Sequence, residues 1–255
     1  MRFQGAALLF TTAVSNSRPS ASLALTSTLN TAFSTSTFTS ATTLVTSTFR
    51  TPLHHRPRIP KNSITRNMST TNNEDKPNGS GGKVALLQFQ VSSSKTQNQE
   101  KVKQLIQSTM TQNPNTKLIV LPEIWNGPYA TAAFGEYAES LPSLPYSHSK
   151  ENDDEMENNC PSAKVLFDAA MQHGVYIIGG SISEKEGDKL YNTCLCISPA
   201  GELVAKHRKV HLFDIDVKGG ITFKESDTLT GGDTLSVFDT GDDLFGSIGV
   251  GIWCV

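Results

Sequence analysis

Aspartate and glutamate are missing from the first 73 residues, although the 255-residue chain carries 24 acids in all. Cysteine is scarce. Four cysteines without a regular spacing exclude a small secreted fold stapled by disulfides. Long apolar runs are lacking too: no stretch approaches the ~18 consecutive residues a membrane-spanning helix needs. Aromatic residues make up 7% of the chain and do not interleave with its one dense cationic stretch, which argues against a nucleic-acid surface.

The acid-free segment holds seven basic residues (Arg2, Arg18, Arg50, Arg56, Arg58, Lys61 and Arg66) and 27 serines or threonines. It therefore carries +7, while the remaining 182 residues carry −9, and the bland total of −2 conceals the division. Basic, hydroxyl-rich and acid-free is the composition of an organelle transit peptide. Abundant Ser/Thr with sparse Arg points to the chloroplast, with the mitochondrion as the alternative. Met68 offers an internal start that would yield a cytosolic form. The sequence thus divides into a disordered transit peptide at 1–73, a Gly/Pro/Ser linker at 74–82 and a body at 83–255, long enough for a sizeable core.

In the body, 84–91 and 118–121 are short apolar runs suited to buried strands. Between them Val102, Leu105, Ile106 and Met110 form one helical stripe, preceded by N-cap candidates at Ser92–Ser94 and stopped by Asn113-Pro114. Residues 153–159 read as a solvated acidic loop without the alternation of a calcium site. A second helix is expected over 162–173, closed by Gly174, and a third strand over 175–178. Residues 190–198 and 203–208 flank a turn and read as a hairpin, and 235–239 and 247–252 are further strand-like runs. This order predicts a layered α/β domain.

Glu123 directly follows a buried strand. It is either the strand end turning to solvent or a carboxylate in a ligand crevice, where partial burial raises its pKa toward that of a working base. In Lys206-His207-Arg208-Lys209, strand alternation sends His207 and Lys209 to one face and Lys206 and Arg208 to the other. A lysine turned inward must be paired, and Glu123 or Glu225 can pair it. Cys194 and Cys196 share a strand face but lack the second Cys/His pair of a zinc set, His207 and His211 lying on another segment, so they read as small buried side chains. Gly246-x-x-Gly249-x-Gly251 has the wrong glycine order for a dinucleotide fingerprint, and His173 reads as a helix-end residue.

Five segments together resemble the carbon–nitrogen hydrolase (nitrilase) superfamily, and within it the omega-amidases. They are Leu121-Pro122-Glu123, residues 126–129 (NGPY), 178–181 (IGGS), 191–193 (YNT), and the long run from His207 to Ser226. The resemblance implies a four-layer αββα sandwich and a Glu–Lys–Cys triad with a second carboxylate. Glu123 is then the general base, Lys209 the cation facing the oxyanion, and Glu225 the second carboxylate. The implied substrate is a small ω-amide of a dicarboxylic acid, such as 2-oxoglutaramate. No metal or organic cofactor, nucleic acid or membrane is implied, and full-length members commonly form homo-oligomers.

At the C-terminus the family's Gly-x-Gly-Ile-Cys-Tyr-Asp meets Gly249-Val250-Gly251-Ile252-Trp253-Cys254-Val255. Trp253 takes the nucleophile's place and Cys254 follows one residue out of register, a shift that turns a strand side chain to the opposite face. The expectation is a chain truncated at the nucleophile motif, lacking the C-terminal part of the sandwich, folding poorly alone and having little or no activity. The alternatives are a non-catalytic subunit that assembles with complete copies, and another amidohydrolase of the superfamily such as an N-carbamoyl-amine amidohydrolase.

Overall fold

A computed structural model describes residues 82–241 and 245–253, together with the backbone of Thr12–Ala13 (β1) and Thr43–Val45 (β2). The rest of the expected transit peptide and linker, and Cys254, lie outside the described residues. The body begins with β3 (Lys83–Leu86), α1 (Lys95–Gln112) and β4 (Thr116–Val120). Ser94 caps α1 by accepting a hydrogen bond from the Gln97 N–H, satisfying one of the helix's unpaired first-turn donors. Then come α2 (Thr131–Tyr137), β5 (Tyr146–Ser147), α3 (Asp153–Asn159) and α4 (Pro161–His173). Helix α4 starts with proline and ends at Gly174 with φ of 62°, the left-handed conformation that glycine adopts at no steric cost.

Strands β6 (Tyr176–Ile178), β7 (Ile182–Glu186), β8 (Lys189–Ile197) and β9 (Glu202–Arg208) follow. A short hairpin of β10 (Asp214–Asp216) and β11 (Thr222–Lys224) precedes a last pair, β12 (Ser236–Asp239) and β13 (Ser247–Val250). The large sheet runs β2-β3-β4-β6-β8-β9-β5, with β7 added along β8, and the small sheet runs β1-β13-β12. Strands β3, β4 and β6 are parallel, so their carboxyl ends share one edge of the sheet.

Period-two alternation divides the core into two compartments. Ile119 and Leu121 from the β4 segment, and Leu195 and Ile197 from β8, face α1 and α4, where they meet Val102, Ile106, Leu166 and Ala170. Their neighbours Leu118, Val120, Cys194 and Cys196 face the small sheet and pack with Phe238, Ile248, Val250 and Ile252. A helix layer, a large sheet and a small sheet thus stack in that order, an α/β sandwich, while Val237 on the small sheet's outer face is exposed. No helix among the described residues is long and apolar enough to cross a membrane.

The acidic run 153–159 corrects the expectation of a loop: it forms α3. Asp153, Asp154 and Glu155 occupy its first turn, where acids complement the helix dipole, and buried Met156 anchors it to the core. Helix α2 and the β10–β11 hairpin also form where no pattern announced them.

Candidate active site

Strand β4 delivers Leu121-Pro122-Glu123 to the sheet's carboxyl edge, and the loop after parallel β6 holds that segment. The Leu121 N–H donates to the Ile178 carbonyl, the Ser181 N–H to the Pro122 carbonyl, and the Trp125 N–H to the Ser181 carbonyl. Ser181 Oγ accepts the Ile124 N–H at 2.8 Å, and Trp125 Nε1 donates to the Gly179 carbonyl at 2.8 Å. Ile124 has φ of 44°, a conformation that is costly for a β-branched residue and persists only where the surroundings enforce it. The bend fixes Glu123 at the end of the strand.

Lys209 follows β9 directly. Its N–H donates to the Asn192 carbonyl on β8 and its carbonyl accepts the Gly232 N–H, both at 2.8 Å. Its side chain runs inward, where Nζ lies 2.8 Å from Glu123 Oε1 and 2.9 Å from Glu225 Oε2. Lys209 and Glu225 are wholly buried, and the Glu123 side chain is 3% exposed. One lysine Nζ therefore bridges two carboxyl groups out of water. Such a group is tolerable only because each member is also hydrogen-bonded elsewhere.

Glu225 begins a short 3₁₀ turn, Glu225–Asp227. It accepts the Tyr129 hydroxyl on Oε1 and the Phe213 N–H on Oε2, each at 2.6 Å. Tyr129 stacks on Phe223 of β11, with centroids 5.5 Å apart, and meets Phe134 of α2 edge-on. The two elements without a sequence signature thus form one wall of the site. Glu123 accepts a further hydrogen bond from Asn192 Nδ2 at 2.7 Å. Burial pushes the Glu123 carboxyl above its ordinary value; attraction to Lys209 and its hydrogen bond pull it part of the way back. A buried carboxyl whose pKa lies above the usual carboxylate range, beside a fixed cation, can take up a proton and return it.

The opposite face of β9 is tied separately. Arg208 donates from Nε and Nη2 to the two oxygens of Glu184 on β7, at 2.9 and 2.8 Å. Lys206 Nζ lies 2.6 Å from Glu184 Oε1, and the Arg208 guanidinium sits 3.8 Å over the Tyr191 ring. This clamp holds the strand from which Lys209 projects. His207, buried on the Lys209 side, pairs with Ser236 Oγ of β12, and burial lowers its pKa.

The structure therefore brings Glu123, Lys209 and Glu225 together. Cys254 lies outside the described residues; its neighbour Trp253 is exposed and meets the His211 ring edge-on at 5.6 Å, two residues from Lys209. Sequence reasoning gave no role to Asn192, Tyr129 or the Phe213 N–H. Cys194 and Cys196 are buried between the sheets. Among the described residues, His148, Asp153 and Asp168 form a group of metal-ligand types. Lys164 Nζ lies 3.4 Å from Asp153 and 2.7 Å from Asp168, so an ammonium already takes the cation's place.

Residues 83–253 match the carbon-nitrogen hydrolase family model. The chain belongs to that family. It is 42% identical over 170 residues to omega-amidase NIT2-A of Xenopus laevis, covering 67% of this chain and 54% of that protein. The chloroplastic omega-amidase of Arabidopsis thaliana is 43% identical over 169 residues, 66% of this chain and 41% of that one. Among solved structures, Saccharomyces cerevisiae Nit3, a member of branch 10 of the nitrilase superfamily, aligns with a TM-score of 0.52 at 33% identity, covering 64% of this chain and 52% of that one. This carbon-nitrogen hydrolase chain spans about half the length of the curated relatives it matches.

Proposed function

We propose that this domain is of the omega-amidase type, hydrolysing the terminal amide of dicarboxylic monoamides such as 2-oxoglutaramate to the 2-oxo acid and ammonia. The observation that carries the reading is the buried bridge from Lys209 Nζ to Glu123 and Glu225. Similarity to omega-amidases supports the substrate class.

In this reaction a thiolate attacks the amide carbon, and Lys209 faces the oxygen on which negative charge develops. Glu123 takes the thiol proton and passes it to the leaving nitrogen, so ammonia departs and a thioester remains. Glu123 then removes a proton from water, which attacks the thioester and releases the acid and the thiol. Glu225, held by Tyr129 and Phe213, fixes the ammonium. Trp253 holds the family's nucleophile register and Cys254 follows it, so the 255-residue chain is assigned little or no turnover of its own. The leader composition, with a chloroplastic relative, supports a chloroplast location.

The test measures ammonia release from 2-oxoglutaramate by the chain and by its Trp253→Cys variant. The expected result is low release from the first and a gain in the second that Glu123→Gln abolishes. Turnover by the unmodified chain, lost in Cys254→Ala, would make Cys254 the nucleophile. Hydrolysis of N-carbamoyl amines in preference to ω-amides would move the domain to that branch of the superfamily.

Trp253 favours one second reading, a non-catalytic subunit that keeps the Glu–Lys–Glu group and assembles with complete copies. Co-purification with a longer family member from the source tissue supports it, and a strictly solitary chain counts against it.

A further inference from the structure

We infer that Asn192 is the positioning residue of this site, holding the base and the cation in register through its side chain and its backbone carbonyl. The inference rests on reading Glu123 as the base, but not on the identity of the amide.

Asn192 lies on β8, wholly buried, opposite Ser183 of β7. It touches both partners of the central ion pair by different groups. Its backbone carbonyl accepts the Lys209 N–H at 2.8 Å, and its side-chain Nδ2 donates to Glu123 Oε1 at 2.7 Å. Glu123 Oε1 is the same oxygen that receives Lys209 Nζ at 2.8 Å. A single residue of the central sheet thus sets the spacing between two groups that arrive from β4 and β9.

The chemistry of the carboxamide fixes its orientation. An ionised carboxylate only accepts hydrogen bonds, so the NH₂ end must face Glu123, since the opposite flip would set oxygen against oxygen. The outward end, Oδ1, is buried and has no partner among the described residues. A buried acceptor left without a donor is destabilising, and an apolar side chain of similar shape removes that cost. Stability alone therefore does not account for an asparagine here, whereas a donor to the base does. Burial drives the Glu123 carboxyl upward, and the Asn192 hydrogen bond is one of the interactions that oppose it.

The test follows the Glu123 carboxyl by carbon-13 NMR across pH, with the resonance assigned through Glu123→Gln. In Asn192→Leu the backbone bond to Lys209 is kept and the donor is lost. The Glu123 midpoint is expected to rise by about one to two pH units, the equivalent of one hydrogen bond to a charged group. Asn192→Asp, isosteric but ionised, is expected to raise it further. A folded Asn192→Leu with an unchanged midpoint overturns the inference. Should neither variant fold, the unmodified chain still decides. The Asn192 side-chain amide resonances must shift with the Glu123 midpoint and lose that transition in Glu123→Gln; amide resonances insensitive to pH overturn the inference. None of these readouts requires turnover, so an inactive chain or a different amide substrate leaves them interpretable.

Discussion

Lys209 Nζ donates to Glu123 Oε1 at 2.8 Å across 86 positions of sequence, and the ammonium that makes this contact is wholly buried. The contact is the hinge of the site, because Lys209 also holds Glu225. Removing the lysine leaves two carboxylates out of water with no cation between them. Lys209→Met is therefore expected to destabilise the fold by about 3–5 kcal/mol. Adding Glu123→Gln to it should cost less than the sum of the two single changes. Urea unfolding of the three variants measures both. Strict additivity would mean that the two groups are not coupled in solution.

The acid limb of stability is expected to depend on Glu184. Burial pushes its carboxyl up, but hydrogen bonds from Arg208, Lys206 and Thr193 together outweigh that and hold it below its ordinary value of 4.5. Between the folded and unfolded values the native state binds fewer protons than the unfolded chain. The contribution of Glu184 is therefore complete above about pH 4.5 and is lost as pH falls through the folded value. The stability difference between the native sequence and Glu184→Gln should stay flat from pH 7 to about 5 and shrink below that. Glu123 acts in the opposite sense: its folded pKa is raised, so its ionisation costs stability as pH climbs from 4.5 through that value.

Gly180 has φ of 62°, and a β-carbon there would run into the Pro122 carbonyl and the Leu121 backbone. Gly180→Ala combines a strained backbone with overpacking against the segment that carries Glu123. A loss of about 3 kcal/mol is expected in denaturant titration, with a displaced Glu123 carbon-13 resonance. A loss below about 1 kcal/mol would show that the two loops do not approach so closely.

Thiol reactivity gives a simple check of the core. Burial pushes the Cys160 thiol up to about 12, with Glu139 and Glu155 adding to the effect. Cys196 is held above its ordinary value by its hydrogen bond with Cys194 and by burial. With Cys254→Ala in place, the remaining three cysteines should resist an aromatic disulfide reagent in the native state and react together in denaturant. A fast-reacting thiol in native Cys254→Ala would mean that the core opens locally, between the sheets around β8 for Cys194 or Cys196, or at the α3–α4 junction for Cys160.

Much of the scaffold was legible in the residues themselves. The stripe of Val102, Leu105 and Ile106 marked α1, and Gly174 marked the end of α4, because local spacing and backbone freedom act within a few positions. Alternation in 206–209 separated the two faces of β9 correctly, with Lys209 and His207 inside and Lys206 and Arg208 held by Glu184. The acidic run at 153–159 was not legible as a helix. Its one buried apolar anchor, Met156, makes too weak a pattern, and its packing on the core decides its form. The β10–β11 hairpin lacked a signal because its strands are only three residues each and Phe223 gains its stacking partner, Tyr129, from a distant segment.

The sequence by itself determined the split between a basic, acid-free N-terminal segment and an acidic remainder, the main strands and helices that build the core, and which side chains share a face. It also singled out Glu123, Lys209 and Glu225 through the likeness of their segments to a family. Only the tertiary structure decided that these three meet with buried Asn192 in one cluster, with the more exposed Tyr129 hydroxyl bonded to Glu225 at its edge. Alternation assigns a side chain to a face but not to a neighbour. The neighbours here follow from the order β4-β6-β8-β9 across the sheet, which places Asn192 on β8 beside Lys209 after β9 and within reach of Glu123 after β4.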